Sequence, residues 1–238
     1  MAKKSLHYND ATFEISYEIL NPKAQKDFIV LHGWGSNKEL MKQTFSSHLQ
    51  DFRHIYVDLP GFGGSSCEQV LFTQDYANIL EIFLQQISAK KDVVLGHSFG
   101  GKVATLLEPK LLVLVASAGI VVPKPLSVML KIKLFKMLKP FGIAKLRSLF
   151  VAQDAQNLTH EMYSTFKNVV DEDFTQYFKD FNNKALLFWG KDDTATPIST
   201  AKEIDTLLAH SELFSYDGDH YFFMQKGDEI AKEITLRS

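Results

Sequence analysis

Two periods of hydrophobicity alternate along this chain. In Ala11–Leu20 the apolar and polar positions alternate, the period of a strand with one face covered. The Asn9-Asp10 turn and Leu6–Tyr8 before it predict a hairpin, and Asn21-Pro22 closes the segment. The later strands have a different character. Phe28–His32, His54–Asp58, Asp92–Gly96, Leu111–Ala116 and Lys184–Gly190 are short and largely apolar, as expected of strands buried on both faces of a parallel sheet. Amphipathic helical stretches separate them: Lys38–Leu49, a helix capped by Thr73 and running to about Ile87, Lys102–Leu107, and Pro197–Ala209. A strand at Glu212–Tyr216 and a helix from about Tyr221 complete the chain. Strand and helix alternating in this way predict an α/β protein with a mainly parallel, doubly wound sheet. Right-handed crossovers then gather the functional loops at the carboxyl ends of the strands.

The alternation breaks once. No strand is legible from Val121 to Asn183; instead Pro125–Lys139, Gly142–Phe150, Thr159–Val170 and Glu172–Phe181 have helical spacing, separated by Pro140, Gly142 and polar breaks. The expected organisation is a core of residues 1–119 and 184–238 with a helical unit, 120–183, inserted over the sheet edge. Composition adds little to this picture. The chain has 238 residues, 45% of them hydrophobic, enough for one sizeable core, and its formal net charge of −2 points to neither nucleic acid nor membrane. The single cysteine, Cys67, excludes an intramolecular disulfide and fits a reducing compartment. No apolar stretch follows the basic start, and no run is long enough to span a bilayer, so the expected location is cytoplasmic.

The chemistry is concentrated in the loops after the apolar runs. Val93–Leu95 lead into Gly96-His97-Ser98-Phe99-Gly100-Gly101 and then into a helical pattern. That is strand, sharp turn and helix with a serine at the apex, which holds Ser98 out where a base can take its proton. A base and an orienting acid should follow in the order acid, then histidine. After the Lys184–Gly190 run comes Lys191-Asp192-Asp193, and after the last strand comes Asp217-Gly218-Asp219-His220. Asp193, deeper in its loop, is the expected acid, with Asp192 as the alternative, and His220 the expected base. Two backbone N–H groups, those of Trp34 and Phe99, are the expected oxyanion donors, with Gly33 and Gly35 letting the Trp34 backbone turn inward. Taken singly, each feature is an ordinary turn, capping or surface residue; their order, each after its own apolar run, is what points to catalysis. The remaining histidines (His7, His32, His48, His54, His97, His160 and His210) show no metal-ligand spacing, His32 reading as a structural hydrogen-bonder, and no metal or cofactor is called for.

These residues resemble the α/β-hydrolase superfamily. The match is carried by His32-Gly33-Trp34-Gly35, Asp58-Leu59-Pro60-Gly61-Phe62-Gly63-Gly64-Ser65, Gly96–Gly101, Gly190–Asp193 with Pro197, and Asp219-His220. Serine rather than aspartate at the nucleophile position argues against the haloalkane dehalogenase and epoxide hydrolase branches. The motifs are most similar to carboxylesterases that cleave pimeloyl-acyl-carrier-protein methyl ester, then to meta-cleavage-product hydrolases of 2-hydroxy-6-oxo-dienoates. The second group usually has Asn before the serine and Trp after the histidine, where this chain has His97 and Tyr221. The chain departs from the family pattern in a short passage from the Ser98 helix to the next strand, and in Asp219 where Gly is usual.

The resemblance implies a serine hydrolase cleaving a small-molecule or carrier-bound carboxylic ester through an acyl-enzyme. C–C bond hydrolysis on the same residues is the alternative, and a non-catalytic binding protein the reading from a different class. It also implies that 120–183 is the family's cap, or lid. Between Val121 and Gln153 this unit carries Lys124, Lys131, Lys133, Lys136, Lys139, Lys145 and Arg147 with no acidic residue. Such a rim suits an anionic substrate or an acidic carrier protein; charge pairing within the unit and loose attachment to anionic lipid are the other readings. Met129, Leu130 and Phe135 are the candidates to line an acyl pocket beneath it.

Overall fold

The computed structural model describes residues 2–122 and 159–238. Eight strands form one sheet: β1 (Ala2–Tyr8), β2 (Ala11–Leu20), β3 (Lys26–Leu31), β4 (Phe52–Val57), β5 (Val93–His97), β6 (Leu111–Val115), β7 (Lys184–Gly190) and β8 (Ser211–Tyr216). Their order across the sheet is β1-β2-β4-β3-β5-β6-β7-β8. The hairpin strand β2 pairs antiparallel with both β1 and β4. All other pairings are parallel. The helices are α1 (Lys38–Phe45), α2 (Thr73–Gln86), α3 (Phe99–Leu106), α4 (His160–Val169), α5 (Thr175–Asp180), α6 (Ile198–Leu207) and α7 (Gly227–Arg237).

The apolar runs explain the two layers of helix. Successive strand residues point to opposite faces, and both faces here are buried. Ile29 and Leu31 of β3, with Leu112 and Leu114 of β6, face a core shared with α2, α3 and α6. Phe28, Val30, Val113 and Val115 face a second core that takes in Met41 and Phe45 of α1 and Ile230 and Ile234 of α7. The sheet is therefore doubly wound, as the apolar strands require. Between β6 and β7 the described residues hold α4 and α5 and no strand. The expected helices at Pro125–Lys139 and Gly142–Phe150, the basic run, and Met129, Leu130 and Phe135 all lie outside the described residues.

Several boundaries differ from those expected: β1 begins at Ala2 rather than Leu6, α5 spans Thr175–Asp180 rather than Glu172–Phe181, and three helix ends differ as follows. α1 stops at Phe45 rather than Leu49, because Leu49 adopts φ of 48° and its carbonyl accepts the Phe52 N–H and the His54 Nε2–H instead of continuing the helix. Thr73 does not cap α2. Asp75 does so by accepting the Phe72 N–H at 2.7 Å, and the Thr73 hydroxyl donates to Glu172. At the C-terminus the segment after Tyr221 is a single 3-10 turn, Phe222–Met224, and α7 begins only at Gly227.

One buried ion pair fixes the loops on the carboxyl side of the sheet. The ammonium of Lys38 lies 2.7 Å from Asp58 Oδ2, with side chains 2% and 0% exposed. Asp58 also accepts the Lys38 and Gly64 backbone N–H groups. Burial pushes its carboxyl up, but those two N–H groups and the Lys38 ammonium hold it below the usual range. Cutting such a pair on one side strands a charge in the core. Asp58→Ala should therefore lose about 3–5 kcal/mol of stability, whereas Lys38→Met combined with Asp58→Asn, which strands no charge and keeps an acceptor for the Lys38 backbone N–H, should lose less. Urea unfolding midpoints of the two variants test this.

Candidate active site

The carboxyl ends of β3, β5, β7 and β8 each contribute one loop to a single place. Ser98 follows β5 and begins α3 with φ of 51° and ψ of −118°, a conformation costing on the order of 1–3 kcal/mol for a residue with a side chain. Neighbouring strands secure it: the Ser98 N–H donates to the Val115 carbonyl, and the Ser98 carbonyl accepts from Ala118 and Gly101. The turn is possible because of its glycines. A Cβ on Gly96 would lie 2.2 Å from the Gly100 carbonyl oxygen, and one on Gly100 2.5 Å from that of His32. With no side chains at those positions, strand and helix close together and lift Ser98 to the surface of a cleft.

His220 stands in the loop after β8, and its Nδ1 is 2.8 Å from Asp193 Oδ2, in the loop after β7. A carboxylate only accepts, so Nδ1 carries the proton and Nε2 keeps its lone pair. Asp193 is buried and fully engaged: Oδ1 accepts the Ala195 and Thr196 N–H groups, and Oδ2 accepts the Thr196 hydroxyl at 2.9 Å. Burial alone would raise its pKa; the bonds from His220 and Thr196 outweigh that and hold it ionised below its ordinary range. Asp192, the alternative acid, is exposed, and its N–H donates to the Gly218 carbonyl. Asp219 is exposed too and accepts the Tyr221 N–H at 2.8 Å, ordering the turn that follows His220.

The loop after β3 is pinned from below. His32 is wholly buried; its Nδ1–H donates to the Gly33 carbonyl at 2.8 Å, and its Nε2 accepts the Leu59 N–H at 3.0 Å. A trans peptide holds its N–H opposite its carbonyl, so the Trp34 N–H points away from His32. Gly33 packs so tightly on the elbow that a Cβ there would come within 3.0 Å of Ser98 Cβ. The Trp34 ring is clamped by Phe62, Phe99 and Phe166, with centroids 4.9, 5.5 and 5.4 Å away. Phe99 opens α3, so its N–H belongs to the first turn, where helices have no internal acceptor and the dipole favours negative charge.

Trp34, Ser98, Phe99 and His220 line one cavity of about 470 Å³, together with Lys102, Ala118, Phe166, Val169, Val170, Ala195, Thr196 and Tyr221. Asp193 stands behind the wall and reaches the cavity through His220, Asp192 does not line it, and the candidates Met129, Leu130 and Phe135 lie outside the described residues. The other lining residues were not site candidates in the sequence, and two of them, Thr196 and Lys102, carry polar contacts. Thr196 braces Asp193 from a position before Pro197 that looks like any helix start. Lys102, inside an apolar helical pattern, crosses to the roof: its ammonium reaches the Val169 carbonyl at 2.7 Å and Glu172 Oε2 at 3.0 Å. Its alternation with apolar neighbours concealed the partner, which lies 70 residues away in sequence. His97, grouped in the sequence with the structural histidines, is buried beside His220. Among the described residues no group of His, Cys, Asp and Glu could hold a metal ion, and no helix is long and apolar enough to cross a membrane.

The chain is similar to known proteins in sequence and in fold. A family model described as the alpha/beta hydrolase family matches residues 28–233. A pimeloyl-[acyl-carrier protein] methyl ester esterase of Vibrio atlanticus is 25% identical over 247 residues, covering 88% of this chain and 93% of the relative. Among solved structures, an esterase from Exiguobacterium antarcticum superposes with a TM-score of 0.74 at 22% identity, covering 94% of this chain and 95% of its own. A meta-cleavage product hydrolase from Pseudomonas fluorescens reaches a TM-score of 0.71 at 15% identity, covering 94% and 93%.

The buried imidazoles make stability depend on pH. Burial, chiefly, drives the pKa of His32 down to about 4 and that of His97 to about 3, the nearby His220 adding to the fall at His97. Histidines of the unfolded chain titrate near ~6.5. As pH falls below that value the unfolded state takes up protons that the folded state refuses, so stability is full above it and declines toward about 4. The thermal midpoint should drop between about pH 7.5 and pH 5, and a flat midpoint over that range would contradict this account.

Proposed function

The chain belongs to the alpha/beta hydrolase family, and from that premise we propose that it cleaves a carboxylic ester through an acyl-enzyme on Ser98. In this reading His220 is the general base and Asp193 the carboxylate that orients it. The observation that carries it is the 2.8 Å bond between His220 Nδ1 and Asp193 Oδ2, made by a histidine that shares its cavity with a serine at a strained strand–helix turn. With Nδ1 committed to Asp193, the lone pair of Nε2 is the one available to take the Ser98 proton as Oγ attacks the ester carbonyl. The negative charge that develops on that carbonyl oxygen is held by the N–H groups of Trp34 and Phe99. His220 then returns its proton to the departing alcohol. Water attacks the acyl-enzyme by the same route, with His220 taking its proton, and frees the acid and Ser98. Asp193 stays ionised throughout and stabilises the imidazolium that forms twice per turnover.

The cavity supports an acyl substrate. About 470 Å³ is within the range that takes a small molecule, and most of the wall is apolar: Trp34, Phe99 and Ala118 on the core side, Phe166 and Val169 from α4 with Val170 just after it. We read residues 120–183 as the cap of this site, with α4 as part of its roof. The relatives named as pimeloyl-[acyl-carrier protein] methyl ester esterases favour a carrier-bound or small-molecule ester over other hydrolase substrates. The basic run Lys124–Arg147 is charged as a landing surface for an acidic carrier should be.

Hydrolysis of p-nitrophenyl esters from acetate to octanoate tests the reading. Wild type should turn over, and Ser98→Ala should lose on the order of 10⁴-fold or more in kcat. Wild type inert toward every ester and unlabelled by a fluorophosphonate would remove the ester reading, and bleaching of a dienolate would then favour C–C hydrolysis. In the same series Phe166→Ala should move the optimum toward longer chains, because removing the ring that packs on Trp34 enlarges the apolar chamber beneath α4. An unchanged optimum would show that α4 does not bound the acyl site.

A further inference from the structure

His97 lies next to Ser98 at the end of β5, and nothing in the mechanism above uses its side chain. Its ring is buried and sits between the two loops that the reaction depends on. On one side Nε2 is 3.1 Å from the backbone carbonyl of His220, and since a carbonyl only accepts, Nε2 carries the proton. The His97 and His220 rings are 4.7 Å apart between centroids, and Phe223, just beyond, is also 4.7 Å from His97. On the other side is the loop after β3: a Cβ on Gly33 would lie 2.9 Å from His97 Nδ1. That nitrogen is buried and has no hydrogen-bond partner among the described residues.

A phenyl or aliphatic side chain would fill this space without leaving a nitrogen unpaired. An unsatisfied buried acceptor is destabilising, so packing alone does not explain an imidazole here. The donor on Nε2 does. The His220 loop comes from β8, at the edge of the sheet, and His97 joins its backbone to the central strand that carries Ser98.

We propose that His97 is a positioning residue: its Nε2–H bond to the His220 carbonyl, with its ring wedged against Gly33, holds the base and the Trp34 loop in register around Ser98. His97 stays neutral and transfers no proton. It acts on His220 through the backbone, while Asp193 acts on the imidazole itself, so the two constrain the ring from different ends.

The proposal rests on the ester-hydrolase reading for its kinetic arm only. His97→Phe keeps a ring and removes the donor; His97→Gln returns an N–H near the place of Nε2; His97→Asn puts its amide near Nδ1, short of the His220 carbonyl. Expected for the Phe and Asn variants is a fall in kcat of tenfold or more with KM within twofold, because His97 is not part of the cavity wall. Gln should recover most of the rate, and the thermal midpoint of every variant should stay within about 5 °C of wild type. The second readout is the far-downfield NMR proton of the His220 Nδ1–H···Asp193 bond, sharp in wild type and Gln and broadened in Phe and Asn. Should Phe fail to fold, the comparison of Gln with Asn decides. Wild-type kcat and an unchanged downfield proton in Phe or Asn would overturn the proposal, and so would equal losses in Gln and Asn that follow the thermal midpoint. If wild type hydrolyses no ester, the ester reading falls alone, and the downfield proton still decides for or against His97.

Discussion

The rest of the structure depends on how closely β5 and α3 approach across Ser98. The approach is set by what is missing at Gly96 and Gly100, whose absent side chains let the helix backbone lie against the strand and against the carbonyl of His32. A positive φ at a residue with a side chain persists only where its surroundings leave it no alternative. Here they do not. β6 is hydrogen-bonded along the whole of β5, and Val115 and Ala118 fasten Ser98 by its own backbone. The strain is thus borne by the stiffest part of the molecule, the centre of a sheet covered on both faces.

Around that turn the buried carboxylates are fully paired, while Trp34 Nε1 and His97 Nδ1 are buried without a hydrogen-bond partner among the described residues. Asp58 receives Lys38 and two backbone N–H groups, and Asp193 receives His220, Thr196 and the Ala195 N–H. His32 spends both nitrogens on backbone groups. Three of these contacts join neighbouring loops at the carboxyl side of the sheet: Lys38 to Asp58 and Leu59 to His32 tie the loop after β3 to the one after β4, and His220 to Asp193 ties the loop after β8 to the one after β7. The others stiffen single loops from within, as Asp193 does with Ala195 and Thr196.

Much of this was legible from residue order. The double-faced burial of β3, β5, β6 and β7 is written in their apolar runs, and the loops that follow these strands carry Trp34, Ser98 and Asp193, with His220 after β8. What could not be read were contacts whose partners are remote. Nothing local distinguishes Thr73 as a donor to Glu172 rather than a cap, because the decision is made by a residue 99 positions on. Leu49 looks like one more helical leucine until the His54 side chain claims its carbonyl and bends the chain away. His97 gave no pattern at all, since its meaning lies in a backbone carbonyl 123 residues later. Periodicity reports which face a residue takes, and it is silent on which polar atom waits there.

Lys102 shows what such remote pairing means for anyone wishing to change the cavity. An ammonium has three protons to give, and those of Lys102 face the carbonyls of Val169 and Glu172 and the carboxylate of Glu172, while its charge rests 4.7 Å from the Phe174 ring. It is a cation in the cavity wall with no proton left to offer. A preference for anionic molecules cannot be engineered by recruiting it. Shortening it to gain room would sever the tether between the serine's own helix and the last turn of α4, so a larger chamber obtained that way would be one with a loose ceiling.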